Sequence, residues 1–217
     1  MQGFPMSVPT RDGAVITLRP ALVEEAASYA EGFSSYPTAR TLTMRAAMSV
    51  ESEMEWIRNQ DKDPNTCGWG IYLEDELIGN TGLAGIDNRR ASSGCCIYRR
   101  DLWGRGIISA VHHARMFYAD QVLGLEAVDS FVFFGNDASQ RALERVGYTT
   151  YGTRFNVGIV DGQVTHAHQL LWVNPAQDRW KAFWGGPVPP EHADAFKASR
   201  QRAIRAMHWA AKNVTFL

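Results

Sequence analysis

The sequence has little cysteine, almost no net charge and no long apolar segment. Its three cysteines, Cys67, Cys95 and Cys96, favour free thiols in a reducing compartment over a disulfide framework. A formal net charge of -1 gives no reason to expect nucleic acid or an anionic membrane as the main partner. The chain also has no leader-like start and no run near the roughly 18 apolar residues that span a bilayer. We therefore expect a cytoplasmic protein with neither kind of partner.

The sequence has no internal repeat and no low-complexity tract, and its 45% of hydrophobic residues is enough for one domain core. We expect a flexible N-terminus over residues 1–13, one domain over 14–175, and an extension over 176–217 that contains a basic amphipathic helix. Irregular segments are expected at 34–48 and 174–192.

The hydrophobic pattern of the domain predicts a mixed α/β (α+β) fold. Three early strands form an antiparallel meander, with a polar loop over 87–93 before the third strand. A helix from Ile107 then leads to an apolar strand at 127–136, and this strand–helix–strand crossover makes that strand parallel to the third. The Asp-Gly pair at 161–162 predicts a closing hairpin.

The stretch RDLWGRGIIS at 100–109 joins the third strand to the helix through two glycines. Backbone N–H groups at a helix start lack partners, glycine lets the main chain approach a phosphate closely, and the helix dipole favours an anion. Arg99, Arg100 and Arg105 add full positive charges. The stretch therefore predicts a pyrophosphate site; the alternative is a tight turn with solvated arginines. The stretch has no Gly-Lys-Ser/Thr motif, which argues against a phosphate-loop NTPase. It also lacks the third glycine of the dinucleotide fingerprint, which argues against a dinucleotide-binding fold.

Three motifs together resemble those of the GNAT acyltransferases, and in particular the branch that acetylates the amino termini of ribosomal proteins. The motifs are LWGRGIIS, NDASQRALERVGY and VDGQVTHAHQLL, and the similarity runs from about Val15 to Pro175. The resemblance implies a GNAT fold, in which a mixed, splayed central sheet holds the pantetheine arm of acetyl-CoA between two diverging strands. One difference is Asp101, where the family often has Gln or Arg; we expect Arg100 to compensate.

The resemblance also implies which residues hold acetyl-CoA. The main chain of residues 96–98 is expected to pair with the pantetheine amides, and the amides of residues 104–109 are expected to hold the pyrophosphate. Asn136 and Ser139 are expected at the thioester end. The full expected set is Cys96, Ile97, Tyr98, Arg99, Arg100, Trp103, Gly104, Arg105, Gly106, Ile107, Ile108, Ser109, Asn136 and Ser139.

The chemistry that the resemblance implies is direct attack of an amine on the thioester, which requires a base, an acid and stabilisation of the carbonyl oxygen. Many members use a tyrosine seven residues after the Asn, and that position is Leu143 here. The resemblance points instead to Ser139 as the acid; the alternative is a first-turn serine bonded only to backbone. The usual glutamate base is missing, so we expect Asp87 to be the base. Asp101, a water chain, or ordinary solvated aspartates with no catalytic role are the alternatives.

The acceptor site is expected to have Tyr36, Arg40 and Arg45 on one wall. His166 and His168 lie two apart on the last strand, so they share a face that could reach this site. The histidine pair has no third ligand at suitable spacing, and we expect no metal. Arginines in the wall suit an acceptor that carries carboxylate or phosphate.

We expect acetyl transfer to the primary amine of a small molecule or of a peptide N-terminus. Transfer of a longer acyl group such as succinyl remains open, and so does a catalytically silent acyl-CoA-binding or scaffold protein. The basic helix of the extension is expected to pack on the domain or on a second copy of the chain in a homodimer. The alternative is a cover over the acceptor cleft, in which Trp180 and Trp184 narrow the specificity.

Overall fold

A computed structural model describes residues 2–42, 44, 46–60 and 62–217. The described residues form nine strands: β1 Met6–Pro9, β2 Val15–Arg19, β3 Cys67–Leu73, β4 Glu76–Asp87, β5 Arg90–Ile97, β6 Ala127–Phe133, β7 Thr149–Val160, β8 Gln163–Val173 and β9 Thr215–Phe216. Their α-helices are α1 Ala26–Ser34, α2 Tyr36–Ala39, α3 Val50–Gln60, α4 Ile107–Gln121, α5 Asp137–Arg145, α6 Gln177–Trp184 and α7 Ala193–Asn213. The strands build one sheet in the order β7-β8-β6-β5-β4-β3-β2-β1-β9.

The antiparallel meander predicted from the sequence is confirmed, since β3 pairs with β4 and β4 with β5. The connection between β4 and β5 is shorter than expected. Asn88 and Arg89 both have positive φ, 44° and 63°, and close a two-residue turn. Strand β5 therefore begins at Arg90, inside the segment predicted to be a polar loop. The Asp-Gly pair at 161–162 closes the β7–β8 hairpin, as predicted.

Strands β5 and β6 run parallel, as the crossover predicts, but they pair over a short length. The last pair is Ser92 with Asp129, whereas β6 stays paired with β8 as far as Phe133. We call the gap beyond this last pair the splay. Side-chain hydrogen bonds mark its start: the Ser93 hydroxyl donates to the Asp129 carbonyl oxygen and the Ser130 hydroxyl donates to the Ser93 carbonyl oxygen, both at 3.3 Å. The expected mixed and splayed sheet is confirmed.

Helices cover both faces of the sheet, and the alternation of side chains along β8 separates the two faces. Leu170 and Trp172 are buried in the main core cluster together with residues of α4, and we call this side the α4 face. Leu171, between them, is buried against aromatic side chains of α6 on the opposite side. Tyr98, directly after β5, packs on that opposite side against α1, so we call it the α1 face.

Residues Met6–Pro9 form strand β1, which corrects the expectation of a flexible N-terminus over residues 1–13. Met6 and Val8 are fully buried, and β1 pairs with β2 on one side and with β9 on the other. Two alternating apolar residues are too short a pattern to predict a strand from the sequence. The pairing with β9 depends on residues 215–216, which are far away in the sequence.

Two segments that we expected to be irregular contain helices. Helix α2 lies within 34–48, where the Ser35 hydroxyl donates to the Thr38 hydroxyl oxygen at 2.9 Å across its first turn. Helix α6 lies within 174–192. Its Trp180, Phe183 and Trp184 have helical spacing and pack against Leu171 and its neighbours, so burial of the aromatic side chains explains the helix.

The predicted basic amphipathic helix is α7, and it packs on the domain. Ala203 and Ala206 are buried in the main core cluster, beside α4 and α5. A Cβ at Gly147 would lie only 2.5 Å from the Cβ of Ala203, so α7 approaches the end of α5 closely. Among the helices of the described residues, none is long and apolar enough to cross a membrane.

Candidate active site

The loop between β5 and α4 has the backbone that an anion site requires. Gly104 and Gly106 both have a φ of 82°, a left-handed conformation that other residues rarely adopt. A Cβ at Gly104 would meet no atom within 4 Å, so glycine is needed there for its φ and not for space. Gly106 is the N-cap of α4 and no side chain caps this helix, so the first-turn N–H groups are available as donors. The loop fits the phosphates of CoA.

The arginines predicted to bind the pyrophosphate have other partners in the structure. Arg99 pairs with Asp101 at 2.7 Å and also with Glu76, and Arg105 pairs with Asp12 at 3.1 Å. These ion pairs hold the loop in place, and an anion would have to compete with them for Arg99 and Arg105.

The third predicted arginine, Arg100, and one further cation lie near the same loop. The Arg100 guanidinium stands over the ring of Trp103 at 5.1 Å. Arg145, at the end of α5, donates to the Ser109 hydroxyl oxygen at 3.4 Å. Sequence reasoning missed Arg145, because only the packing of α5 on α4 brings it to the start of α4.

The main chain of β5 presents fewer groups to the pantetheine arm than expected. The Tyr98 N–H donates to the Ile78 carbonyl oxygen at 2.8 Å, and the Cys96 carbonyl oxygen lies against Gly79, so both residues turn their main chain toward β4. Because peptide groups alternate along a strand, Ile97 is the residue of this stretch that turns toward the splay. Its carbonyl oxygen already accepts from the Trp103 indole at 3.2 Å, which leaves the Ile97 N–H as the donor.

The residues expected at the thioester end lie at the start of α5. The Asn136 side chain accepts from the Ser139 N–H at 3.2 Å and caps the helix. The Ser139 hydroxyl has no hydrogen-bond partner among the described residues, so its proton is free for a bound group. Leu143 stands at the position of the family tyrosine and is buried in the main core cluster. A leucine has no hydroxyl, so this position supplies no proton to the leaving sulfur.

The structure does not bring the predicted base, Asp87, to the splay. Asp87 is exposed in the β4–β5 turn, where it accepts from the Asn88 amide at 3.1 Å. Asp87 pairs with Arg90, two residues before the last β5–β6 pair at Ser92, so it lies on the closed side of that pair and outside the splay. Asp101, the alternative, pairs with Arg99, and this hydrogen-bonded pair lowers the pKa of the Asp101 carboxyl.

A carboxylate that sequence reasoning missed lies at the start of the splay. Asp129 belongs to the last β5–β6 pair, and its side chain points to the α1 face. One carboxylate oxygen accepts from Arg90 at 2.9 Å and the other from the Tyr151 hydroxyl at 3.2 Å. The carboxylate is about one third exposed, with a side-chain exposure of 32%. The signal in the sequence is a single acidic residue in the otherwise apolar strand at 127–136.

Two of the predicted acceptor residues contact the tip of the closing hairpin. The Tyr36 hydroxyl donates to Asp161 at 2.6 Å, and Arg40 forms an ion pair with the same carboxylate. The hydrogen bond to Asp161 raises the pKa of Tyr36, so the phenol stays protonated at neutral pH. Arg45, which we placed in the same wall, lies outside the described residues.

His166 and His168 lie on the α4 face, opposite Asp129. Both alternate with Leu170 on β8, and both rings contact Phe134, at 5.6 and 4.4 Å between centroids. His166 Nδ1 also accepts from a backbone N–H of β7, at Asn156. The structure therefore places the two histidines beside the start of α5 and away from the acceptor wall.

The cysteines are free, and burial keeps them protonated. Burial raises the pKa of Cys67 to about 11 and that of Cys96 to about 12. Burial also raises the pKa of Cys95, although the nearby Arg115 opposes this rise. Thiols with raised pKa values are poor nucleophiles, so they are structural. Within the described part of the chain, no three His, Cys, Asp or Glu residues come together in a group that could hold a metal ion.

Comparisons with known proteins agree with this geometry. A family model for the acetyltransferase (GNAT) domain matches residues 16–149. The putative ribosomal N-acetyltransferase YdaF of Bacillus subtilis (strain 168) is 29% identical over 129 residues, or 58% of this chain and 68% of the relative. Mycobacterium smegmatis RimJ in complex with CoA-disulfide has a TM-score of 0.70 at 16% identity and covers 98% of this chain and 97% of its own. Spermidine N-acetyltransferase from Vibrio cholerae, in complex with CoA and spermine, has a TM-score of 0.68 at 16% identity. The alignment covers 73% of this chain and 95% of the spermidine N-acetyltransferase chain.

The splayed mixed sheet, with a glycine loop at the start of the crossover helix, is the fold that the resemblance to acyltransferases implies. The chain belongs to the GNAT acetyltransferase family, whose model matches more than half of it. The resemblance seen in three sequence motifs, and the fold that it implied, are therefore confirmed.

Proposed function

We propose that the protein transfers an acetyl group from acetyl-CoA to the primary amine of a small molecule or of a peptide N-terminus. The observation that carries the proposal is the end of β5–β6 pairing at Ser92 and Asp129, beside an uncapped glycine loop at the start of α4. The relatives include N-acetyltransferases and complexes with CoA. Acetyl-CoA supplies the activated acyl group when it is bound. The free thiols support a cytoplasmic location.

The chain offers two proton-transfer groups, one on the α1 face and one at the start of α5. On the α1 face, the Asp129 carboxylate binds the acceptor ammonium and takes one proton, so that the neutral amine attacks the thioester carbon. At the start of α5, the Ser139 hydroxyl donates a proton to the sulfur as the carbon–sulfur bond breaks. The nitrogen loses two protons in total, one through Asp129 to solvent and one that restores the Ser139 hydroxyl.

Two side chains orient the Asp129 carboxylate. Arg90 donates to one oxygen and Tyr151 to the other, which leaves lone pairs on both oxygens for an ammonium. Burial, together with the charge of Asp129, raises the pKa of Tyr151, so this hydroxyl remains a donor at neutral pH. These two hydrogen bonds therefore hold the Asp129 carboxylate in a fixed direction, as a group that receives a proton should be held.

The surroundings of Asp129 favour an acceptor that carries a negative charge and an apolar part. Phe131, two residues further along the same face of β6, is 49% exposed, and the Arg154 guanidinium stands over its ring at 5.5 Å. Arg90 and Arg40 add positive charge on the same side. Guanidinium groups bind carboxylate and phosphate through two parallel hydrogen bonds. An amine close to a carboxylate or phosphate, or an acidic peptide N-terminus, suits this surface.

The test is release of free CoA from acetyl-CoA with a panel of amines, aminoglycosides, aminoacyl nucleotides and short peptides. With the best acceptor, we expect Asp129→Asn to lower kcat/KM by about 100-fold or more and Ser139→Ala by at least about 10-fold, as for other general bases and acids. The control is Asp194→Asn, an exposed carboxylate in the first turn of α7. The dissociation constant of CoA should change less than twofold in all three variants.

Three outcomes count against parts of this proposal. Activity of Asp129→Asn within threefold of the wild type would remove Asp129 from the mechanism. Activity untouched in Ser139→Ala would do the same for Ser139 and leave the transferase standing. Tight binding of acetyl-CoA with no turnover on any acceptor would favour the acyl-CoA-binding or scaffold protein instead.

A further inference from the structure

One glutamate on the α1 face is buried without a partner. Glu53, in the first turn of α3, has an exposed fraction of 2%. Its Oε2 atom has no hydrogen-bond partner, and its carboxylate takes part in no ion pair among the described residues. Burial raises the pKa of Glu53, because the carboxylate has lost water and has gained no opposite charge in return. Such a carboxylate favours a cationic ligand.

The packing of α3 explains why Glu53 is buried. Ile57 lies one turn later on the same side of the helix and is buried in a cluster with Tyr29 of α1. This side of α3 packs on α1, so Glu53 lies in the interface between the two helices. Glu51 and Glu55 are exposed. The helix therefore buries one of its three glutamates and leaves the other two in solvent.

A cavity of about 330 Å³ lies beside Glu53, a volume that suits a small molecule. Besides Glu53 it is lined by Phe33, Met44, Met48, Ser52 and Trp56. The Met48 N–H donates to the Ser34 hydroxyl oxygen at 2.9 Å, which fastens the loop before α3 to the last residue of α1. The cavity therefore combines apolar and aromatic walls with one unpartnered carboxylate.

The residues that line this cavity select an organic cation. A metal ion needs several oxygen ligands, and no three His, Cys, Asp or Glu side chains come together among the residues that the structure describes. Methionine side chains and aromatic rings pack on alkyl chains, and an aromatic face also attracts a cation. An ammonium has three donors and a guanidinium has five, so the two side chains with oxygen atoms, Glu53 and Ser52, suit the ammonium.

We propose that this cavity binds a primary alkylammonium group, with the ammonium on the Glu53 carboxylate and the alkyl chain against Phe33, Trp56 and the two methionines. The group belongs either to the acceptor, as a second amino group that does not react, or to a separate amine. The first source is favoured by Phe33, whose ring centroid is 5.1 Å from that of Tyr98, the residue that directly follows β5. Binding of the group does not depend on acetyl transfer.

The test measures the binding of n-pentylamine and n-pentanol by NMR titration of the protein at neutral pH. The two probes have the same alkyl chain, and only the amine is charged, as its ammonium. We expect the wild-type protein to bind the ammonium at least about tenfold more tightly than the alcohol, as for a charged hydrogen bond. Glu53→Gln keeps the shape and removes the charge, so it should reduce this ratio to within about twofold. Glu55→Gln, at an exposed position of the same helix, should keep it.

Two further measurements separate this cavity from the acceptor carboxylate and identify the source of the amine. Asp129→Asn should keep the preference for the ammonium, because Asp129 does not line the cavity. If the acceptor fills the cavity, pentylamine should compete with it, and Glu53→Gln should raise KM only for acceptors with a second amino group. If a separate amine fills it, pentylamine should leave the acceptor KM unchanged.

A ratio below about threefold in the wild-type protein would overturn the proposal, whether or not Glu53→Gln folds. A ratio kept by a folded Glu53→Gln variant, or lost in Asp129→Asn, would overturn it too. Because probe binding needs no turnover, the absence of acetyl transfer to any acceptor would contradict the proposed function alone.

Discussion

The Tyr36 hydroxyl and the Asp161 carboxylate are joined by a hydrogen bond of 2.6 Å across the α1 face. Tyr36 starts α2, which follows the helix that packs on Tyr98 at the end of β5. Asp161 is at the tip of the hairpin that continues the sheet from β6. The contact therefore connects the two sides of the splay, and with the ion pair from Arg40 it forms a bridge over the expected acceptor wall.

Loss of this bridge should weaken acceptor binding. Asp161→Asn removes the charge that Arg40 pairs with and tolerates the positive φ of 51° at this turn. We expect the acceptor KM to rise about three- to tenfold, as for the loss of one partly exposed charged hydrogen bond. The CoA dissociation constant should not change. Asp75→Asn, in the β3–β4 turn with a φ of 65°, is the matched control, and an equal effect there would contradict the bridge.

The glycine loop should lose CoA affinity when its backbone is strained. Gly104→Ala places a side chain at a φ of 82°, which costs about 1–2 kcal/mol or shifts the loop. Because no atom is near enough to clash, we expect a weaker CoA complex and a Tm that falls by only a few degrees. The comparison is Gly186→Ala, which has open space and no positive φ, and which should match the wild type in both measurements. Unchanged CoA affinity in Gly104→Ala would show that the loop does not hold the phosphates.

The close approach of α7 to α5 predicts a large stability effect. Gly147→Ala combines a φ of 103° with a contact to the Ala203 Cβ at 2.5 Å, so the free energy of unfolding should fall by about 2–4 kcal/mol. Gly13→Ala separates the two causes, because Gly13 has a φ of 89° and no atom within 4 Å. That variant should lose only about 1–2 kcal/mol. Equal losses in urea unfolding would mean that the helix contact contributes nothing.

Buried His112 should make the fold sensitive to mild acid. Burial, helped by the Arg115 charge, holds the pKa of His112 well below its usual value, and its ring nitrogens have no partner among the described residues. As pH falls through about 6.5, the unfolded chain takes up the proton first, so the free energy of unfolding falls, by up to about 1.4 kcal/mol per pH unit. His112→Leu should flatten this slope between about pH 6.5 and 5, whereas His208→Leu, at an exposed position, should keep it.

The sequence predicts the fold and the conformation of the glycine loop well because both depend on local patterns. The glycines at 104 and 106 need positive φ, and the helix that follows them has a regular apolar face. The side chains of the site depend on strand register, which no local pattern reveals. Asp87 was the expected base, yet the two-residue turn at Asn88 and Arg89 leaves it at the closed end of β5, and the same register brings Asp129 to the start of the splay.

Packing between distant elements explains the other differences. From its neighbours in the sequence, Arg115 would be expected on the exposed face of a helix. Only the packing of α4 on the sheet shows that its side chain is buried. The strand at Met6–Pro9 likewise depends on its pairing with β2 and on the burial of Met6 and Val8, with β9 on its other side. His166 and His168 share a face, as predicted, but the sheet turns that face toward α4.

The serine hydrogen bonds at the start of the splay have a consequence for donor exchange. Ser93 and Ser130 take over where the backbone ladder ends, so the gap exists before any donor arrives. A donor that enters such a preformed groove does not have to break strand pairing, and none of its binding energy is used to populate an open form. Its residence time should therefore depend on the loop at α4 and on the width of the gap, and the sheet should behave as a rigid frame during turnover.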